Sequence, residues 1–193
     1  KIPKNYTNLD ILVLGNLDPK VQLSIISQFE KRPKFTMLDT MNFWMDNTLD
    51  NLLKIISKVD LICINDEEVI QLSGCKDYKN GIKKILTMGP KYLIMKKGEY
   101  GSTLYSDNLE FFCPSFKVKK VIDPTGAGDS FAGAFAGHLA ESKNYTFESI
   151  SSALIYANAV ASFCVEKFGI ENMLNISKDE IDKRISFIKK HNN

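Results

Sequence analysis

Residues 123–136 read Asp-Pro-Thr-Gly-Ala-Gly-Asp-Ser-Phe-Ala-Gly-Ala-Phe-Ala and set an acidic side chain inside a run of small ones. Small residues at the start of a helix leave backbone N–H groups uncovered, and the first four N–H groups of any helix lack partners within it. With the peptide dipoles aligned behind them, those groups attract anions. Asp129 sits in the same first turn. A carboxylate there repels phosphate unless it has a task, such as taking the proton of an attacking hydroxyl. Phosphoryl transfer to an alcohol wants both features, with Asp129 as general base and the N–H groups of Gly126, Ala127 and Gly128 as an anion hole. A Gly-Ala-Gly triplet alone reads more readily as a plain turn between strand and helix. The flanks separate the two readings: Asp123 and Asp129 bracket the turn, and Pro124 stiffens its entry. Gly133, Ala134, Ala136 and Gly137 predict a thin helix that packs closely.

The elements that must position this segment follow from hydrophobic pattern and punctuation. Asp10–Gly15 is a short apolar run closed by glycine, in the style of a buried parallel strand. Asp18-Pro19 caps a helix running to about Glu30. Further strands are expected at Phe35–Asp39, Asp60–Ile64 and Tyr92–Lys96, and helices at Leu49–Ser57, Asn65 to about Ser73, and Gly81–Met88. Ser102–Ser106 and Leu109–Phe112 read as an antiparallel hairpin. Beyond the small-residue segment the chain becomes helical, at about 126–142, 146–167 and 177–190. Strands alternating with helices predict an α/β fold with a mostly parallel sheet covered on both faces, in one domain over 1–193.

Ligands of such sheets collect beyond the carboxyl ends of the strands, and several polar residues fall there. Asn65 and Glu68 lie three apart on one helical face, as an N-cap with its capping-box partner or as polar groups facing a ligand. Lys96 and the Lys97–Gly101 turn read either as a solvated hairpin corner or as a lysine that reaches phosphate, with Gly98 and Gly101 permitting close backbone approach. Asn158, in an otherwise apolar helix, needs hydrogen-bond partners, from a neighbouring loop or from a ligand. His138 and His191 read as structural or solvated. Trp44 fits the core better than a substrate wall.

Composition narrows the classes. The chain has 193 residues, 44% hydrophobic and 25% charged, with a net charge of +2, which suits a globular domain able to bury a core. The balance gives no footprint for nucleic acid or a membrane surface. Arg32 and Arg184 are the only arginines, so a bidentate guanidinium clamp on phosphate is mostly unavailable. Cys63, Cys75, Cys113 and Cys164 lie far apart, without metal-binding spacing, and read as reduced thiols in a cytoplasmic protein. No apolar run approaches membrane-spanning length.

Across all fourteen positions, residues 123–136 resemble the second signature of the PfkB (ribokinase-like) carbohydrate kinases. The resemblance implies a ribokinase-like three-layer α/β/α sandwich. It also implies ATP-dependent phosphoryl transfer to a sugar or nucleoside hydroxyl, with Mg²⁺. By the same resemblance Asn65 and Glu68 help organise Mg²⁺ and phosphates through water. Lys96 rather than Lys97, with Gly98 and Gly101, runs along the nucleotide, and Asn158 lies near the adenine. Asp123 and Thr125, with the turn around 162–168, occupy positions where relatives bind a monovalent cation such as K⁺. Asp39 and Asn42 form an Asp-x-x-Asn pattern similar to the Asp-Pro-Asn-x-Arg of fructokinase-type members. The spacing differs and the arginine is missing, so that role is not carried over. PfkB kinases carry further amino-terminal strands, a β lid and a sugar-gripping first signature. The expectation is therefore an amino-terminally truncated domain, poorly active alone, with an open strand edge at which a homodimer could form. Two alternatives stand beside a sugar or nucleoside kinase: a nucleotide-binding module without catalysis, and a kinase of the same fold acting on a vitamin-type alcohol such as pyridoxal or hydroxymethylpyrimidine.

Overall fold

The structure, a computed structural model, describes residues 1–192. The chain divides into two units, one of Lys1–Lys96 with Tyr105–Glu110, the other of Lys97–Leu104 with Phe111 onward.

The first unit is an α/β layer. Strands β1 (Ile11–Leu14), β2 (Phe35–Asp39), β3 (Leu61–Asn65) and β4 (Tyr92–Lys96) pair in parallel, with Leu14 opposite Leu38, Asp39 opposite Cys63 and Asn65 opposite Lys96. Two further strands, β5 (Ser102–Ser106) and β6 (Leu109–Cys113), have residues in each of the two units, and the strand order is β1-β2-β3-β4-β5-β6. The two-residue connection between β5 and β6 requires them to run antiparallel. In each of β2, β3 and β4 only the last residue escapes full burial, as expected of strands covered on both faces. The connecting helices are α1 (Pro19–Ile26), α2 (Asn42–Asn47), α3 (Leu49–Ile56), α4 (Asp66–Ser73) and α5 (Tyr78–Thr87). Leu52, Ile55 and Ile56 of α3, Val69 of α4, and Ile82 and Ile85 of α5 join Leu38, Ile62, Ile64, Leu93 and Met95 of the strands in one core.

Several elements differ from the sequence expectation, and at two boundaries the local reason is plain. Helix α1 stops at Ile26 rather than near Glu30, because the N–H groups of Gln28 and Phe29 turn back three residues to Ile25 and Ile26 and tighten the last turn. Helix α5 starts at Tyr78, capped by Asp77, so Gly81 lies inside it. A Cβ on Gly81 would come within 2.9 Å of Ser73 Oγ and 3.1 Å of Val69 Cγ1, so glycine permits α4 and α5 to cross closely. The short α2 carries no side-chain cap and was not expected.

The second unit is helical: α6 (Ala127–Ser142), α7 (Phe147–Cys164) and α8 (Lys178–Lys190). Phe131, Ala132, Phe135 and Leu139 form the buried face of α6, and Ile150, Ala153, Leu154 and Ala157 are buried on α7. The thin-helix expectation holds less well than the rest. Gly133 and Gly137 are exposed, and a Cβ on either would meet nothing within 4 Å. Ala134 and Gly137 instead line an open groove of about 360 Å³ with His138, Tyr156 and Met173. His138 is structural here, stacked on Tyr156 and within 3.1 Å of Ser152 Oγ. Helix α8 is tied down by Arg184. Its guanidinium donates to Ser162 Oγ at 2.7 Å and to Glu166 Oε2 at 2.5 Å, and lies over the rings of Phe116 and Phe163. That arginine is thereby committed to packing. Helix α7 ends at Cys164, short of Lys167; the Phe163 carbonyl is taken instead by Asn172 Nδ2 and the Glu166 N–H.

Candidate functional site

In the second unit, the start of α6 keeps polar groups open. Gly126 is its N-cap at φ +80°, a left-handed conformation that disfavours a side chain, and it offers no side-chain cap. The Ala127 N–H donates to Pro124 O at 3.2 Å, and the Ser130 N–H to Gly126 O at 2.8 Å. This corrects the anion hole expected from the sequence. Ala127 is taken by the turn, and the N–H groups without a partner among the described residues are those of Gly126, Gly128 and Asp129. Gly128 is exposed, with nothing within 4 Å of where a Cβ would lie. Asp129 is exposed and makes no hydrogen bond or ion pair among the described residues. A cradle of free donors beside a free carboxylate can accept an anion and take up a proton.

The turn ahead of α6 braces itself. Asp123 Oδ1 accepts the Thr125 N–H at 3.0 Å, and its Oδ2 accepts the Gly169 N–H at 3.5 Å. Those bonds, chiefly the one from Thr125, hold the Asp123 carboxyl below the usual carboxylate range. The Cys164 thiol lies 3.5 Å from Thr125 O and 3.8 Å from Gly169 O. Asn158 is half-buried, and its Nδ2 donates to Ser102 Oγ at 2.8 Å and Leu154 O at 2.9 Å, so only its carbonyl remains for a ligand. In the 97–101 turn the Lys97 N–H donates to Gly101 O at 2.8 Å. Gly98 (φ +52°) has open space around it. Gly101 (φ +101°) has none, since a Cβ would fall 2.2 Å from Cys113 O.

In the first unit, the carboxyl ends of β2, β3 and β4 form a closed polar cluster. Asn65 and Glu68 make a complete capping box: each side-chain oxygen accepts the other's N–H at 2.8 Å. Glu68 is only 5% exposed, and burial raises its carboxyl above the usual range, against the bond from Asn65 and the nearby Lys96. Lys96 Nζ donates to Asp39 Oδ1 at 3.2 Å, with the two side chains 26% and 13% exposed. Its ammonium is held up first by the neighbouring Cys63 sulfur, against the cost of burial, and then by Asp39. The Cys63 thiol is itself pushed up to about 12 by burial. It therefore carries no charge at neutral pH, where Asp39 is the partner that matters. Cys113 and Cys164 are also buried, Cys75 is half-buried, and all four cysteines are unbridged. Trp44 is half-buried and donates from Nε1 to Asn16 Oδ1 at 2.8 Å.

The sequence reading found Lys96 but not its partner. Both residues close parallel strands, and the signal lay in strand order. With β3 between them and the small Cys63 opposite Asp39 in register, a lysine stem spans the gap.

Residues 7–176 match the profile of the pfkB family carbohydrate kinases. The chain belongs to that family. Among its relatives is a cytidine kinase of Thermococcus kodakarensis, 28% identical over 136 residues, or 69% of this chain and 49% of the relative. The solved nucleoside kinase of Methanocaldococcus jannaschii shares 27% identity with a TM-score of 0.76, covering 96% of this chain and 58% of that one. A fructokinase of Vibrio cholerae, solved with fructose, ADP and calcium ion, shares the fold at TM-score 0.81 and 18% identity, over 95% of this chain and 63% of that one. This PfkB chain thus spans about half the length of the curated relatives it matches. The likeness shows a ribokinase-type α/β fold. Kinases of the family use ATP.

The residues present fit a nucleoside triphosphate better than a directly bound metal. Three free N–H groups suit phosphate oxygens. By contrast, Glu68 Oε2 and Asn65 Oδ1 already accept backbone N–H groups. Among the described residues no cluster of three His, Cys, Asp or Glu could hold a metal ion. No described helix is long and apolar enough to cross a membrane.

Proposed function

We propose that this chain serves ATP-dependent transfer of a phosphoryl group to the hydroxyl of a sugar or nucleoside. The observation that carries the reading is the start of α6, where unpartnered N–H groups adjoin an exposed, unpartnered carboxylate. Asp129 takes the proton of the acceptor hydroxyl as its oxygen attacks the γ-phosphorus of ATP and the bond from that phosphorus to the bridging oxygen breaks, releasing ADP. The N–H groups of Gly126, Gly128 and Asp129 bind the charge on the transferred PO₃ unit. Lys96, with Gly98 and Gly101, runs along the nucleotide, and the Asn158 carbonyl lies near the adenine. When bound, Mg²⁺ would neutralise the triphosphate, with Asn65 and Glu68 to hold its water, and Asp123 and Thr125 would be the residues to hold K⁺ beside the turn ahead of α6. Names among the relatives, cytidine kinase and ribokinase, support an acceptor bearing a ribose or a related sugar.

Incubating the chain with γ-labelled ATP, Mg²⁺ and a panel of sugars, nucleosides, pyridoxal and hydroxymethylpyrimidine tests this. Label should move to a sugar or nucleoside, slowly, in keeping with the poor activity expected of this chain alone. Label on the vitamin-type alcohols alone assigns the other acceptor class. ATP binding without transfer to anything contradicts catalysis by this chain and leaves a nucleotide-binding module.

A further inference from the structure

Asp39 closes β2 with a side chain only 13% exposed, and nothing in the phosphoryl-transfer chemistry requires a carboxylate there. Its Oδ1 accepts from Lys96 Nζ at 3.2 Å across β3. A lysine head is a strongly hydrated point charge on a flexible four-carbon stem, and at a strand end it swings freely into water unless something stops it. Here the small, buried Cys63 lies opposite Asp39 on the strand between, and the ammonium stops at Asp39. One of three ammonium hydrogens is engaged, which leaves two for phosphate oxygens. Asn65, the register partner of Lys96, is tied into its own capping box, which braces the neighbouring strand end.

We propose that Asp39 is a positioning residue that holds the Lys96 ammonium at the carboxyl end of the sheet, pre-aimed at the phosphates of a bound nucleotide; this rests on the reading of Lys96 given above. Binding then costs less ordering of a flexible side chain, at the expense of some of the bare charge that an unpaired lysine would offer.

Calorimetric titration of the 193-residue chain with Mg·ATP and with adenosine tests the role, in the native protein, Asp39→Asn, Lys96→Met and the double variant. Asparagine keeps the shape of aspartate and loses the charge. The double variant leaves neither charge unpaired, so it folds even where a single change does not. Asp39→Asn and Lys96→Met should each weaken ATP by about tenfold and leave adenosine unchanged, and Asp39→Asn should add nothing in the Lys96→Met background. A merely structural aspartate would shift both ligands together and would act equally in both backgrounds; either result overturns the role. ATP binding in Asp39→Asn as tight as in the native protein, or tighter, also overturns it. Failure of the native chain to bind ATP, or indifference of ATP binding to Lys96→Met, defeats the reading of Lys96 itself, and the role of Asp39 falls with it.

Discussion

The strand ends of the first unit and the helix start of the second are both polar, yet they are built in opposite ways. At the ends of β2, β3 and β4, Asp39 answers Lys96 and Asn65 answers Glu68, within a setting where Glu68 is 5% exposed. At the start of α6, Gly126, Gly128 and Asp129 present donors and a carboxylate that no described residue satisfies. A closed cluster holds geometry, because each group would cost free energy if its partner left. An open cluster is poised to meet something that arrives from solution. The difference teaches which groups to expect at the reaction and which behind it: reactive groups where the protein leaves bonds unmade, positioning groups where it completes them.

The largest effect should come from the open cluster. Asp129→Asn should lower turnover by about 10²–10⁴ while ATP affinity and melting temperature stay as they were, read by kinetics and by thermal unfolding of the same preparation. Undiminished turnover removes the base from the account. Gly101→Ala comes next. A Cβ there overlaps the Cys113 carbonyl, and the residue sits at φ +101°, so urea unfolding should show a loss of about 3 kcal/mol. Gly126→Ala tests the cradle more gently. Its nearest obstacle is Cys164 Sγ at 3.7 Å, which leaves mainly the cost of a left-handed conformation, about 1–2 kcal/mol, together with weaker ATP binding.

The smallest effect belongs to the closed cluster. The Glu68 carboxyl is raised by burial, so its contribution to stability is fully present below the ordinary carboxylate value and is lost as pH rises through its folded value. Glu68→Gln keeps an acceptor for the Asn65 N–H and removes that titration. Stability measured across mildly acidic to neutral pH should therefore decline less with rising pH in the variant than in the native chain. An unchanged slope would mean that Glu68 is better solvated than its burial implies.

Much of this was legible in the residues themselves. Strands β2 and β4 were placed to the residue because largely apolar runs ended in Asp39 and Lys96. The capping box was readable from the three-residue spacing of Asn65 and Glu68. The segment around Asp129 announced itself by pairing small residues with a carboxylate. What the chain did not disclose was contact at a distance. The bond between Asp39 and Lys96 spans 57 positions and depends on strand order. The bond between Asn158 and Ser102 depends on which face of α7 meets β5. The use of the Ala127 N–H by Pro124 O is a matter of turn geometry, which composition leaves open. Gly133 and Gly137 misled in the other direction, since small residues mark close approach without saying whether protein or open space lies opposite.

The central claim is that the start of α6 receives phosphate. Amide resonances of Gly126, Gly128 and Asp129, followed by NMR during titration with Mg·ATP and separately with adenosine, test it most directly. The account predicts large shifts at those three amides with ATP and little with adenosine, while the Ala127 amide, already bonded within the turn, moves less. Saturating ATP that shifts amides elsewhere and leaves these three in place would contradict it.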